Sequence, residues 1–225
     1  MTWYAKNTGA YIMGSTEADS NATEAMTILM NEFGWSFASC CGMFGNIDFE
    51  GGWNPWRWQD DILITKAQAQ ADHSQQSVHG YGLIGWTPAG KYQFNNHTVN
   101  GVILFPNYDQ ESYPGYGPNW SDIAGIPEDG EAQIRLIGNA MARGSGNIWN
   151  VRQPCSASRY ITLQDPREAG YYWLWNAEFP QDVRDQEARR MSHSLAWFEH
   201  LGGSSLANPL IAIMKKMSDR SRGFL

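Results

Sequence analysis

The fold is decided by residues 37–53, which read FASCCGMFGNIDFEGGW. Apolar side chains recur there at helical spacing on one face, behind a candidate N-cap at Ser36. They are Phe37, Cys40, Cys41, Phe44 and Ile47. Gly42 and Gly45 inside the pattern each cost about 1 kcal/mol relative to alanine, which is explained if another backbone packs closely there. The stretch therefore predicts a central helix that ends at Glu50, before two glycines.

Helices are also predicted on both sides of this stretch. Asn21 and Glu24 have capping-box spacing, so a first helix is expected to begin at Asn21 and to end at Gly34. Further along the chain, apolar residues at helical spacing form a stripe that ends near Gly144. Another helix is predicted to start at Asp165, which is a candidate cap followed by a proline in the first turn. The stripe consists of Ile134, Ile137 and Met141.

The last strong helical pattern runs from Val183 to Leu201 and stops at a glycine pair. Its inward residues are predicted to be Ala188, Met191, Leu195 and Phe198. Between the helices, residues 62–65 and 81–86 have the composition of short strands. The fold class is therefore α+β, mostly α, with a small antiparallel sheet beside a helical domain. We expect an N-terminal arm (1–20), one domain (21–203) and a C-terminal tail (204–225).

Composition excludes several classes of function. The net charge of −7 argues against nucleic-acid binding, which needs lysine and arginine to neutralise phosphates. No apolar stretch approaches the ~18 residues that span a bilayer, so we expect no membrane segment. Cys40 and Cys41 fall on the predicted buried stripe, which argues against a thiol nucleophile. The histidines lack metal-ligand spacing, so no metal and no cofactor is expected.

Glu50 is the candidate catalytic residue. At the end of an apolar helix it borders the core and faces the negative pole of the helix dipole, and both effects favour a protonated carboxyl group. Such an acid protonates the leaving oxygen of a glycosidic bond. Asp60 and Asp61 are the candidates for a second carboxylate, with Asp72 as a weaker third, and Asp48 should point elsewhere on the helix.

Three segments, in order, resemble motifs of the phage tail lysozyme family. Residues 42–55 are similar to its active-site helix and the turn that follows, and residues 80–88 to the segment that faces the catalytic glutamate. Residues 171–180, followed by 184–201, are similar to its closing helices. The chain departs from many relatives at Gly51, where they have serine, and at Gly85, where they have glutamine.

The resemblance implies a lysozyme-like fold and maps the catalytic glutamate onto Glu50. It implies a hydrolase of peptidoglycan glycan strands, carried in the virion on the phage tail with other tail proteins as partners, that acts on the bacterial cell wall. The alternatives are a lytic transglycosylase that uses Glu50 alone and a glycan-binding module that does not cut. The candidate substrate-binding residues are Trp53, Tyr81, Trp86, Thr87, Tyr113 and Trp120.

Overall fold

The protein is mostly helical in the computed structural model. The structure describes residues 3–4, 9–55, 57, 59–61, 80, 82–85, 98–99, 102–103, 127–143 and 148–203. Its α-helices are α1 (Thr16–Phe33), α2 (Phe37–Ile47), α3 (Pro127–Arg143), α4 (Ala157–Tyr160), α5 (Pro166–Trp173) and α6 (Val183–Gly203). A π-helical turn, Leu174–Glu178, continues α5, and a 3-10 turn covers Gln59–Asp61. Among these helices, none is long and apolar enough to cross a membrane.

The helical part of the predicted fold is confirmed, but the small sheet is not shown. Strands β1 (Thr98–Val99) and β2 (Val102–Ile103) pair antiparallel over two residues each. Neither strand coincides with the runs predicted as strands, residues 62–65 and 81–86. Residues 62–65 fall outside the described part of the chain, and residues 82–85 form a turn in which Gly82 and Gly85 have positive φ angles.

Helix α2 is central, as its sequence predicts. It begins after the Ser36 cap, and every residue from Ala38 to Ile47 is buried. A Cβ at Gly42 would collide with Ala169 of α5, and a Cβ at Gly45 would collide with Ser194 of α6. Both glycines therefore let neighbouring helices approach, as expected. The helix ends at Ile47, earlier than predicted, and a turn carries the chain from there to Glu50.

The start of α1 differs from the prediction. Ser15 is the N-cap, and its side chain accepts a hydrogen bond from the backbone N–H of Ala18. Asn21 lies inside the helix and is fully buried, where its amide donates to the backbone oxygens of Tyr4 and Trp53. The prediction was wrong because a polar side chain that satisfies buried backbone groups was taken for a cap.

The predicted starts of α5 and α6 are confirmed, but the inward face of α6 is not. Asp165 caps α5 with Pro166 in its first turn, and the stripe of α3 is buried. On α6, Ala188 is exposed, and Met191, Leu195 and Phe198 are only partly buried. The buried residues are instead Val183, Arg190, Ser194, Trp197 and Leu201. The inward stripe was missed because two of its members are polar.

Aromatic residues and cysteines fill the core around α2. Trp35, Trp149, Tyr160 and Trp173 form one cluster, with ring centroids 4.8–6.1 Å apart. All three cysteines are free and buried, and for Cys40 and Cys41 this confirms the predicted buried stripe. Burial raises the pKa of the Cys40 and Cys41 thiols well above the ordinary value, so neither carries the thiolate that a nucleophile needs.

Candidate active site

Glu50 stands in the wall of a cavity of about 340 Å³, at the lower end of the range for small-molecule sites. The turn that follows α2 places it there, with its backbone N–H bonded to the Ile47 carbonyl at 3.1 Å. Its side chain is 25% exposed, so the carboxyl group reaches solvent while part of it is covered. The other cavity walls include Gly51, Arg57, Asp60, Gly82 and Gly85.

A buried arginine forms an ion pair with the Glu50 carboxylate. Arg190 of α6 is 3% exposed, and its Nη2 donates to Glu50 Oε1 at 2.6 Å. The same guanidinium donates to the Asn46 carbonyl at 2.7 Å and to Gln186 Oε1 at 2.6 and 3.0 Å. These contacts fix the direction in which the carboxyl group points.

A second glutamate interacts electrostatically with this pair. Glu178 ends the π-helical turn, and its Oε1 accepts a hydrogen bond from the Trp173 indole at 2.8 Å. Burial and the negative charge of Glu50 raise the pKa of Glu178 to about 8, while the hydrogen bond from Trp173 and the charge of Arg190 act in the opposite direction. The protonated form of Glu178 is therefore favoured.

The wall opposite Glu50 is built from glycine backbone. A Cβ at Gly85 would lie 3.4 Å from Glu50 Oε2, and a Cβ at Gly51 would collide with the Gly82 carbonyl oxygen. The two departures from the family pattern therefore let the loop approach the glutamate closely. Gln133 of α3 holds this loop, since it accepts from the Leu83 N–H at 2.8 Å and donates to the Pro55 carbonyl at 2.7 Å.

The structure separates the two candidate aspartates. Both have a left-handed backbone, with φ of 59° at Asp60 and 55° at Asp61. Asp61 is held by Arg57, whose Nε lies 2.8 Å from Asp61 Oδ1, and by the N–H of Gly9 at 2.8 Å. Asp60 is exposed and lines the cavity with Glu50. Asp60 therefore shares the cavity with Glu50, whereas Asp61 is engaged by Arg57 and Gly9.

Asp48 points away from Glu50, as expected. Its Oδ2 lies 3.1 Å from His193 Nδ1 and accepts from the Trp197 indole at 2.8 Å. Burial raises the pKa of Asp48, and the contacts with His193 and Trp197 oppose this shift. This group therefore joins α2 to α6 behind the site.

Trp53 does not serve as a sugar platform, which corrects the prediction. It is fully buried and packs against Phe44 and Trp197, with ring centroids 4.7 and 5.4 Å apart. A buried ring has no free face for a ligand. Asp72 and the remaining predicted substrate-binding residues lie outside the described residues. These residues are Tyr81, Trp86, Thr87, Tyr113 and Trp120.

Sequence reasoning missed several residues that shape the site. Arg190 and Gln133 were overlooked because charged and amide side chains are assigned to the surface unless a partner is known. One signal was available, since Gln186 and Arg190 have the i, i+4 spacing at which side chains meet on a helix. Glu178 lies within the third resembling motif, but its position gave no sign of an electrostatic interaction with Glu50.

Comparison with known proteins agrees with the sequence motifs. The model of the phage tail lysozyme family matches residues 20–201. Morphogenesis protein 1 of Bacillus phage B103 is 36% identical over 203 residues, which cover 89% of this chain and 44% of that protein. The chain thus spans less than half the length of this relative. The family match covers the helices and the cavity described above, and the chain belongs to the phage tail lysozyme family.

Proposed function

We propose that the protein hydrolyses the glycan strands of peptidoglycan, with Glu50 as the general acid. The observation that carries the proposal is the position of Glu50 in the wall of the cavity, with one carboxyl oxygen fixed by Arg190 and the other beside Gly85. Family membership supports a lysozyme-like role in peptidoglycan cleavage.

In this mechanism Glu50 donates its proton from Oε2 to the leaving oxygen of the glycosidic bond. The sugar then develops positive charge, which the resulting carboxylate stabilises. Arg190 holds Oε1, so the carboxyl group keeps one orientation through the reaction and loses little entropy. Gly82 and Gly85 line the same cavity as Glu50, and no side chain projects from them into it.

Asp60 is the proposed base. An inverting hydrolase needs a second carboxylate about 6.5–9.5 Å from the acid, which holds the attacking water. Asp60 lines the same cavity as Glu50, whereas the Asp61 carboxylate forms an ion pair with Arg57 and accepts a hydrogen bond from the Gly9 N–H. We therefore assign the base to Asp60 and a structural role to Asp61.

The acid is tested by replacing Glu50 with Gln. The amide keeps the shape of the side chain and cannot donate the proton, so lysis of purified cell walls, followed as loss of turbidity, should be abolished. Glu199→Gln is the matched control, because Glu199 is an exposed glutamate on α6. Circular dichroism checks that both variants fold. Lysis by Glu50→Gln at the rate of the control would refute the assignment.

The base is tested by comparing Asp60→Asn with Asp61→Asn. Asparagine adopts the left-handed backbone readily, so each change removes a charge without new strain. Asp60→Asn should remove most turnover and leave glycan binding intact, while Asp61→Asn should lower stability and keep lysis. Full activity in both variants would refute an aspartate base at these positions, and products that end in 1,6-anhydro sugars would show a transglycosylase that uses Glu50 alone.

The wider setting is also part of the proposal. Morphogenesis protein 1 comes from a phage, and the family is named for the phage tail. The net charge of −7 opposes adsorption to anionic wall polymers, so delivery on a larger particle explains how the enzyme reaches its substrate. We place the protein in the virion, in contact with other tail proteins, where it opens the host wall.

A further inference from the structure

Gln186 of α6 is a contact of Arg190 that the mechanism above does not use. Its Oε1 accepts two hydrogen bonds from the guanidinium, one from Nε at 3.0 Å and one from Nη2 at 2.6 Å. The same Nη2 donates to Glu50 Oε1 at 2.6 Å. A single nitrogen of the guanidinium thus joins Gln186 to the acid.

The orientation of the Gln186 amide is fixed by its two partners. Its Nε2 donates to Oδ1 of Asp182, directly before α6, at 2.6 Å. A carboxylate accepts hydrogen bonds and a guanidinium only donates them, so the amide nitrogen faces Asp182 and the amide oxygen faces Arg190. The three side chains follow one another at i, i+4 spacing. They form a row of hydrogen bonds from the exposed Asp182 to the buried Arg190.

The absence of charge on Gln186 affects the ion pair. The fork formed by Nε and Nη2 of an arginine matches a carboxylate, which binds there with two hydrogen bonds. Here a neutral amide oxygen fills the fork, so the cation is not neutralised from this side. Among the described residues, Glu50 is the carboxylate that forms a salt bridge with Arg190. Glu178 also interacts with Arg190 electrostatically, but its protonated form is favoured. The positive charge of Arg190 is thus left to Glu50.

We propose that Gln186 is a positioning residue for the acid, which holds the Arg190 guanidinium against Glu50 and leaves the charge of that guanidinium to Glu50. This inference rests on the proposed function. When Glu50 gives its proton to the leaving oxygen it becomes a carboxylate, and Arg190 is already in place to stabilise the negative charge. A carboxylate at position 186 would also hold the guanidinium, but it would compete for its charge.

The first test separates the two roles of Gln186 with two substitutions. Gln186→Met keeps the unbranched stem and removes the acceptor, so kcat for wall lysis should fall by roughly tenfold or more while the pH profile stays in place. Gln186→Glu keeps the acceptor and adds a charge. A second carboxylate on the same guanidinium opposes the loss of a proton nearby, so the alkaline limb of kcat/KM should move to higher pH by roughly one unit.

Gln181→Glu is the matched control for this test. Gln181 is an exposed glutamine just before α6, and its replacement adds the same charge near the start of the helix. The described contacts of Arg190 do not include Gln181, so the alkaline limb should stay in place. A limb that stays in place in Gln186→Glu, or that moves equally in Gln181→Glu, would overturn the proposal. Native kcat in Gln186→Met would also overturn it.

A second measurement does not depend on activity. If Gln186 holds Arg190 for Glu50, the effects of replacing Gln186 and Glu50 on stability are not additive. In urea unfolding followed by circular dichroism, Gln186→Met should lower the midpoint of the native protein by more than it lowers the midpoint of Glu50→Gln. Equal shifts in the two backgrounds would refute the link between Gln186 and Glu50. If the shifts differ and Glu50→Gln still lyses walls, the proposed function fails while the link stands.

Discussion

Replacement of Arg190 by methionine tests whether the site depends on the buried ion pair. Methionine keeps the unbranched stem that packs in the interior and removes the guanidinium. The change leaves the Asn46 carbonyl without this donor and leaves Glu50 without its cation. We expect both lower stability and loss of wall lysis, because the carboxyl group of Glu50 is no longer held in one direction.

The size of the effect follows from the contacts that are lost. Breaking one side of a buried ion pair costs about 3–5 kcal/mol. The Asn46 carbonyl still accepts from the Phe49 N–H at 3.0 Å, so the loss of its second donor adds little, and Glu50 is 25% exposed and so gains some hydration. We therefore expect a loss of about 3 kcal/mol. For a chain of this size, that corresponds to a fall in Tm of roughly 6–12 °C.

The assay is urea and thermal unfolding followed by circular dichroism, arranged as a double-mutant cycle with Glu50→Gln. In the Glu50→Gln background no carboxylate is left behind at that position, so Arg190→Met should cost about 1–2 kcal/mol less than in the native background. A loss below about 1 kcal/mol in the native background would refute this reasoning. Equal losses in the two backgrounds would also refute it.

Three further predictions concern the core and the buried acid. Cys40→Ala and Cys41→Ala should each cost roughly 1–2 kcal/mol in urea unfolding and keep lysis, since both thiols only fill space; a folded but inactive double variant would contradict this. Gly45→Ala should cost about 1–3 kcal/mol, because the added Cβ collides with Ser194, and an unchanged urea midpoint would count against that contact. Glu178 has a pKa of about 8 in the folded protein against an ordinary value of 4.5, so its stabilising effect is complete below about pH 4.5 and is lost as the pH rises through 8. The stability of the native protein relative to Glu178→Gln should therefore fall from pH 5 to pH 8, and a constant difference would be incompatible with that shift.

The features that the sequence predicted correctly depend on neighbours in the chain. The Ser36 and Asp165 caps are local, since each side chain bonds to a backbone N–H two or three residues ahead. The central helix was predicted from small and apolar residues in one short stretch, and Gly45 already implied a close helix contact. The position of Glu50 followed from the end of that same helix.

The features that were missed depend on residues that are distant in sequence. Arg190 and Glu50 are 140 positions apart, and the burial of an arginine makes sense only once its partner is known. The face of α6 was assigned wrongly for the same reason, because Arg190 and Ser194 are polar residues that point inward. Trp53 is the opposite case. An aromatic residue beside the candidate catalytic glutamate suits either a sugar platform or the core, and the contacts of Trp53 with Phe44 and Trp197 place it in the core.

The central claim is that Glu50 donates the proton that cuts the glycan strand. It is tested most directly by digestion of purified peptidoglycan in H₂¹⁸O, followed by mass spectrometry of the soluble fragments. The account predicts that the native protein releases fragments with reducing ends that carry one ¹⁸O, and that folded Glu50→Gln releases none. Release of the same fragments by Glu50→Gln, or fragments that arise from cut peptide bonds with intact glycan, would contradict it.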